Sequence, residues 1–424
     1  MSVDRRKGPE GVTIGTLNFP HSPELDLGPG LKGWLYPTKD AGVARLYIVF
    51  PGGTKRVKES WILRAAAQLQ LSGNKEISAV QIMEQLEAIG ASIDIQVESR
   101  YVQLVISAQT RHLCEALDIW LKYSSGVGFP QKEVDVYKAG AVSDLQVRQS
   151  TPKYWSNRLL MQSICGSEHY LSKFTEVSDI QGVSVDQLNS YSSCFLDKQP
   201  CFMVLCGDVD EAVFAQVAQK WGMVSSGDIE YPIWTRNPSE QHYVEHQVAN
   251  TNQVSLSWGK AGVLVNDTDY YALWLLNTLL GGFFGSRLMK NIREERGLTY
   301  GIHSSLVNHG DEYHWYIHSE IKAGNTELVI NEIRYELNRL INEDAQSDEL
   351  NKVKQYLCGN LKMSFDGPFS MAGKRRDLTL LGRTYSFYDK AIDSIHRVEA
   401  TQIQELAGNF LHPDSFYVSV AGMI

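Results

Sequence analysis

Residues 279–305 read LLGGFFGSRLMKNIREERGLTYGIHSS, and the organisation of the whole chain can be worked outward from them. Upstream, Tyr271, Leu273, Leu275, Leu276, Leu279 and Leu280 form an apolar helical run that breaks at Gly281-Gly282. A second helical run follows, then Gly297 and an extended segment. Glycines at such a break let backbone approach backbone, or a ligand, with no Cβ in the way. Arg293 and Tyr300 flank the helix-to-strand turn with six residues between them. A guanidinium fork and a phenol so placed suit a peptide carbonyl and a developing oxyanion. The same residues also fit a plainer arrangement, a glycine-broken helical hairpin with Arg293 solvated and Tyr300 packed.

Elements on either side recur in the same order. In the first half, VTIG, LKGWLYP and VARLYIVF alternate as strands over residues 12–50, and Lys58 to Leu71 is helical. Ser78 with Gln81 forms a capping box for a helix whose stripe is Ala79, Ile82, Met83, Leu86 and Ile89, stopped by Gly90. ASIDIQV and YVQLVIS are strands, followed by a helix near 110–123 and helices from Lys132 to Cys165. Cys201 to Cys206 closes the half as a buried strand. In the second half, Gln253 to Trp258, Asp267 to Leu280, Ser286 to Arg296 and Phe416 to Ala421 repeat this series, with Thr299-Tyr300 at an offset of 208 from Ala91-Ser92. Such an ordered echo predicts an internal duplication. The expected fold is α+β in two duplicated halves, each a mostly antiparallel sheet with helices on one face. Residues 1–224 make the first half, the Pro-bearing stretch 225–241 a linker, and residues 242–424 the second half.

The Gly-rich loop, Ser286-Arg287-Leu288, Arg293-Glu294, Arg296-Gly297-Leu298 and Tyr300 closely resemble the C-terminal-half signature of the pitrilysin/insulinase-like zinc peptidases, in the mitochondrial-processing-peptidase branch. The resemblance implies a first half with an HxxEH helix, since residues four apart share one face and bring both imidazoles to one zinc. Counting back from Gly73, that motif falls on Arg64-Ala65-Ala66-Ala67-Gln68, and the family's third ligand falls near Ser143-Asp144. A permanent cation, alanines and an amide cannot replace the set, so no metal is expected in this chain. What the resemblance then implies is a non-catalytic subunit of a heterodimer whose zinc sits in a catalytic partner of the same family. In that arrangement Arg293 and Tyr300 serve the partner's site on peptide substrates, and Gly281, Gly282, Gly285 and Ser286 touch the substrate. A structural scaffold without peptidase role is one rival reading. Another is a zinc peptidase using His242, Glu245 and His246, which spell HxxEH, with Glu320 as third ligand. Val244, Val248 and Val254 favour a strand there, and residues four apart in a strand lie about 13 Å from each other. The histidines are then expected to be solvated on an edge strand.

Composition narrows the partners. The chain has 424 residues, 43% hydrophobic and 21% charged, enough for two cores. A net charge of -9 argues against nucleic acid or an anionic membrane as partner. No run suits a membrane span, and MSVDRRKGPEGV carries no apolar segment of a signal peptide, so a cytoplasmic location is expected, with a homodimer possible in the partner's absence. The cysteines at 114, 165, 194, 201, 206 and 358 form no CxxC pair and read as reduced core thiols. Gly281–Ser286 lacks the Lys-Ser/Thr of a phosphate loop. Glu168-His169-Tyr170 reads as a structural turn, and Lys374-Arg375-Arg376 as a solvated helix face.

Overall fold

The computed structural model describes residues 21–28, 30–74, 76–124, 128–196, 200–220, 232–263, 269–310 and 312–423. The expected strand VTIG, the first part of the linker (225–231), Asp267 and the side chain of Cys194 lie outside the described residues.

Two sheets carry the fold. The first contains β1 (Leu25–Asp26), β2 (Lys32–Pro37), β3 (Val43–Pro51), β4 (Ser92–Val97), β5 (Tyr101–Gln109) and β6 (Phe202–Gly207). Their order is β1-β2-β6-β3-β5-β4. The second contains β7 (Tyr243–Gln247), β8 (Gln253–Val263), β9 (Thr299–Asn308), β10 (Tyr313–Lys322) and β11 (Tyr417–Gly422), in the order β7-β11-β8-β10-β9. Apart from β1 the two orders are the same. Each has one parallel pair, β2 with β6 and β7 with β11, and is otherwise antiparallel. The strands that close the halves even share their ending. Gly207 (φ 114°) and Gly422 (φ 141°) occupy backbone regions closed to L side chains. A Cβ there would lie 2.2 Å from Val43 O and 2.3 Å from Gln253 O. The expected α+β duplication is therefore present in strand order and in detail.

Helices follow the sequence reading with local corrections. Helix α1 spans Ser60–Gln68, α2 Ala79–Ala88, α3 Leu113–Ser124, α4 Gln131–Gln149 and α5 Pro152–Cys165. The capping box on α2 is formed, Gln81 N donating to Ser78 Oγ at 3.3 Å and Ser78 N to Gln81 Oε1 at 3.0 Å. Its stripe is narrower than expected. Ile82 and Leu86 are buried, but Met83 is 46% exposed. Cys165, Cys206 and Cys358 are buried, whereas Cys201 is exposed and Cys114 half-buried.

The sheets are not covered on one face only. Helix α5, from the first half, packs on β8 and β11 of the second sheet. Reciprocally, the helix Gly367–Leu380 packs on β2 and β6 of the first, placing Ala372 and Leu378 among Trp34, Tyr36 and Val204. Each half thus lends a helix to the other. This corrects the reading of Lys374-Arg375-Arg376 as a solvated face: the Arg375 guanidinium stacks 4.1 Å from the Trp34 ring, and Arg376 lies over Tyr47 at 5.3 Å.

Candidate functional site

The helix begun by Tyr270–Asn277 ends at Gly281-Gly282 as expected, but not as a plain α-helix. It continues as a π-helical turn, Thr278–Gly282, and the chain becomes extended at Phe283. Thr278 Oγ1 donates to Trp274 O at 2.8 Å, a side-chain bond that competes with the backbone ladder and favours the wider turn. Gly281 lies against β9, where an added Cβ would be 2.6 Å from Ser304 N. Ser304 is fixed in turn, donating to Asn277 Oδ1 at 2.7 Å and accepting from Trp315 Nε1 at 2.7 Å.

A second π-helical segment, Met289–Glu295, carries Arg293. It is fastened at both ends. Arg287, buried, makes a two-point pair with Glu349 (3.0 and 2.9 Å). At the other end Asn291 bonds Glu336 (2.7 Å) and Arg296 pairs with Glu332 (2.9 Å). Gly297 (φ 64°) ends the segment, with Gly297 N bonded to Arg293 O at 3.1 Å and Leu298 N to Ile292 O at 3.0 Å. The Arg293 guanidinium lies 4.6 Å from the ring centre of Phe284, itself 62% exposed. Tyr300 follows at the start of β9, where the register with β10 shifts between Ser319 and Ile321. Thr299 Oγ1 stitches that irregularity, donating to Glu320 O (2.6 Å) and accepting from Ser319 Oγ (3.0 Å). Tyr300 is 94% exposed, which rules out the packed alternative. Two expected peptide contacts are corrected: Gly281 is buried against Ser304 of β9, and Ser286 is fully buried. Gly282 and Gly285 are exposed.

At the expected metal position, Arg64 and Gln68 of α1 line one cleft of ≈ 850 Å³ together with Tyr137 and Asp144 of α4. Ala65, Ala66 and Ala67 turn into the core instead. Arg64 Nη1 donates to Val97 O at 2.7 Å, and Gln68 Oε1 accepts from the Tyr137 hydroxyl at 2.6 Å. Burial pushes the Arg64 guanidinium below its ordinary range, and Glu98 partly offsets that. Among the described residues no group of three or more His, Cys, Asp or Glu is placed to hold a metal ion. The residues present do not suit zinc, whose protein ligands are thiolates, imidazoles and carboxylates.

The HxxEH string is a strand, as its valines predicted. β7 pairs in parallel with β11, with Val420 opposite Glu245 and Ala421 opposite His246. The histidines are not simply solvated, however. The His242 ring stacks on Tyr417 (4.4 Å) and the His246 ring on Trp155 of α5 (4.1 Å). Glu245 is bonded to the Tyr243 hydroxyl and Glu320 to Ser255, so the four groups have separate partners.

One cluster escaped the sequence reading. On β10, His314, Tyr316, His318 and Glu320 alternate onto one face. His318 Nδ1 bonds Ser257 Oγ (2.9 Å), and Ser156 of α5 bonds Ser255 (2.9 Å) and Ser257 (3.0 Å). His314 lies between the Tyr316 hydroxyl (2.9 Å) and Glu312 (2.9 Å), which also pairs with Arg236 (3.1 Å). His309 bonds the same hydroxyl at 3.1 Å. The period-two polar spacing in YHWYIHSE was the available signal. Burial first, then neighbouring positive charge, lowers His309, His314 and His318 to about 4. These histidines bind protons more readily when the chain unfolds. Stability they support is therefore full above the ordinary imidazole value near 6.5 and drains as pH falls towards 4. Urea midpoints should fall steeply on acidification through that window, and His318→Asn should flatten the slope. An unchanged slope in the variant would remove His318 from this role.

The arrangement defines a two-half, peptidase-like α+β chain in which an Arg-Tyr pair is displayed but the metal position is filled by other chemistry. Residues 182–357 match the family model described as the Peptidase M16 inactive domain. The chain is 22% identical over 353 residues to the "uncharacterized zinc protease YmxG" of Bacillus subtilis (strain 168), covering 81% of this chain and 83% of the relative. It is 19% identical over 369 residues to the "non-peptidase homolog YmxG" of Helicobacter pylori (strain ATCC 700392 / 26695), covering 85% and 84%. In fold it is similar to the peptidase M16 inactive domain from Pseudomonas fluorescens, with TM-score 0.82, 18% identity, and 96% and 99% of the two chains covered. The chain is thus similar to M16-family proteins in part of its sequence and in its fold.

Proposed function

We propose that this chain is the non-catalytic subunit of a heterodimeric M16 metallopeptidase in the cytoplasm. Its partner, a relative with intact HxxEH, holds the zinc and the general base, and this chain lends Arg293 and Tyr300 to the partner's site. Arg293 orients the peptide backbone, and Tyr300 donates a hydrogen bond to the tetrahedral oxyanion. Gly282, Phe284 and Gly285 are the loop residues open to a bound peptide. The observation that carries this reading is Tyr300, 94% exposed and seven residues after Arg293, in a chain with Arg64 and Gln68 at the expected metal position. An exposed phenol that packs against nothing is a poor structural choice and a good oxyanion donor. The test is to assay a zinc-bearing relative with and without this chain. A gain in peptide hydrolysis on mixing is expected. No gain, with a stable complex formed, favours the scaffold reading instead.

A further inference from the structure

The cleft at the expected metal position has more cations than carboxylates in its lining, with Glu98 acting on Arg64 from nearby. Arg64, Arg148 and Lys173 line it against one carboxylate, Asp144, in a chain whose overall charge is -9. The cations rest mainly on neutral groups. Arg64 bonds Val97 O at 2.7 Å, Arg148 Nε donates to Asp144 O, a backbone carbonyl, at 3.4 Å, and Lys173 reaches the mostly exposed Glu168 at 3.6 Å. Among the described residues no carboxylate pairs with Arg64. An Arg exposed to the cleft and satisfied by a carbonyl on one nitrogen retains donors for a planar anion. Gln68 beside it has given its carbonyl oxygen to Tyr137, so its N–H donors remain to offer. The walls beyond are aromatic: Trp61 and Tyr137 lie 6.2 Å apart, and Tyr154 and Phe174 6.1 Å apart. Past Trp61 and Phe174 the cleft continues into a second hollow of ≈ 540 Å³, room for a chain to lead in.

We propose that this cleft binds a peptide carboxylate, with the Arg64 guanidinium as its fork, Gln68 as a further donor and the aromatic walls holding the adjoining side chain. It is a site on this chain alone and does not depend on Arg293, Tyr300 or a catalytic partner. The substitution that removes metal chemistry thereby converts the same position to anion recognition.

The test uses fluorescence anisotropy with the full chain and three labelled peptides: one ending in Phe as the free acid, the same peptide amidated, and the amidated peptide carrying a Glu. Charge-assisted bonds of this kind predict binding of the free acid about 10-fold tighter than of the plain amide. Arg64→Met, which leaves Ala65–Ala67 in the core, should erase the difference, and Arg64→Lys should keep part of it. With the free acid preferred, tight binding of the Glu-bearing amide as well means that a side-chain carboxylate is also accepted, and weak binding confines recognition to the chain terminus. Equal binding of acid and plain amide by the unaltered chain, no binding of any peptide, or an undiminished preference in Arg64→Met overturns the proposal. The first two comparisons need no variant to fold.

Discussion

Tyr300→Phe lowers the turnover of the reconstituted pair about 100- to 1,000-fold, the usual cost of deleting one oxyanion donor. The expectation is specific because the substitution removes one oxygen and nothing else. At 94% exposure the hydroxyl contributes to no packed layer, so the unfolding midpoint of the chain should stay within about 0.5 kcal/mol of the original. The loss should fall on kcat rather than KM, since an oxyanion exists only in the transition state. Arg293 is expected to differ. In the proposed role it holds the peptide backbone before and during reaction, so Arg293→Met should raise KM as well. Equal activity of Tyr300→Phe and the unaltered chain, in a pair that still forms, would sink the proposed role.

Gly281→Ala has the larger effect on the fold. The added methyl carbon would sit 2.6 Å from Ser304 N and 2.7 Å from Ser304 Cβ, closer than atoms can pack. Neither side gives way easily. Gly281 lies in the π-turn held by the Thr278 bond to Trp274 O, and Ser304 is locked by Asn277 and Trp315. Overpacking of this kind costs about 1–3 kcal/mol, roughly 2–4 °C in Tm per kcal/mol for a half of this size. Because β9 must shift, Tyr300 shifts with it. Activity of the pair should therefore fall further than the stability loss alone explains. Gly282→Ala serves as the comparison, its methyl meeting only Thr278 and Asn277 O at 3.3 Å or beyond. A Gly281→Ala chain with an unchanged melting profile would show that β9 has slack there.

The duplication was legible because local chemistry repeats with it. The Ser78–Gln81 box, the stop at Gly90 and the glycines that end the closing strands are written in single residues, and each does locally what its neighbours require. The strand reading of HYVEH held for the same reason, since Tyr243 and Val244, with Val248 and Val254 beyond, favour an extended chain. What escaped depends on distant partners. Segments 278–282 and 289–295 are held in place by distant partners, Gly281 against Ser304 and Arg287 on Glu349. The stripe of α5 (Ser156, Leu160, Ile164) says that one face is buried, not that it is buried on the other half's sheet. Ser286 reads as a loop residue by composition, and only the seating of the turn buries it. Of the candidate site, the Arg-Tyr spacing and the absence of metal ligands in residues 64–68 were visible. The exposure of Tyr300 and the convergence of Arg64, Gln68 and Asp144 on one cleft were not, because the first depends on a strand irregularity and the second on α4 folding back over α1.

The claim on which the rest depends is that this chain carries no zinc of its own. Elemental analysis of the purified chain, without added metal, tests it most directly. Zinc well below one per chain is the expected result, and it directs attention to the partner. Zinc near one per chain that disappears in His246→Ala would contradict the account, for the metal would then be held at the strand where His246 now stacks on Trp155.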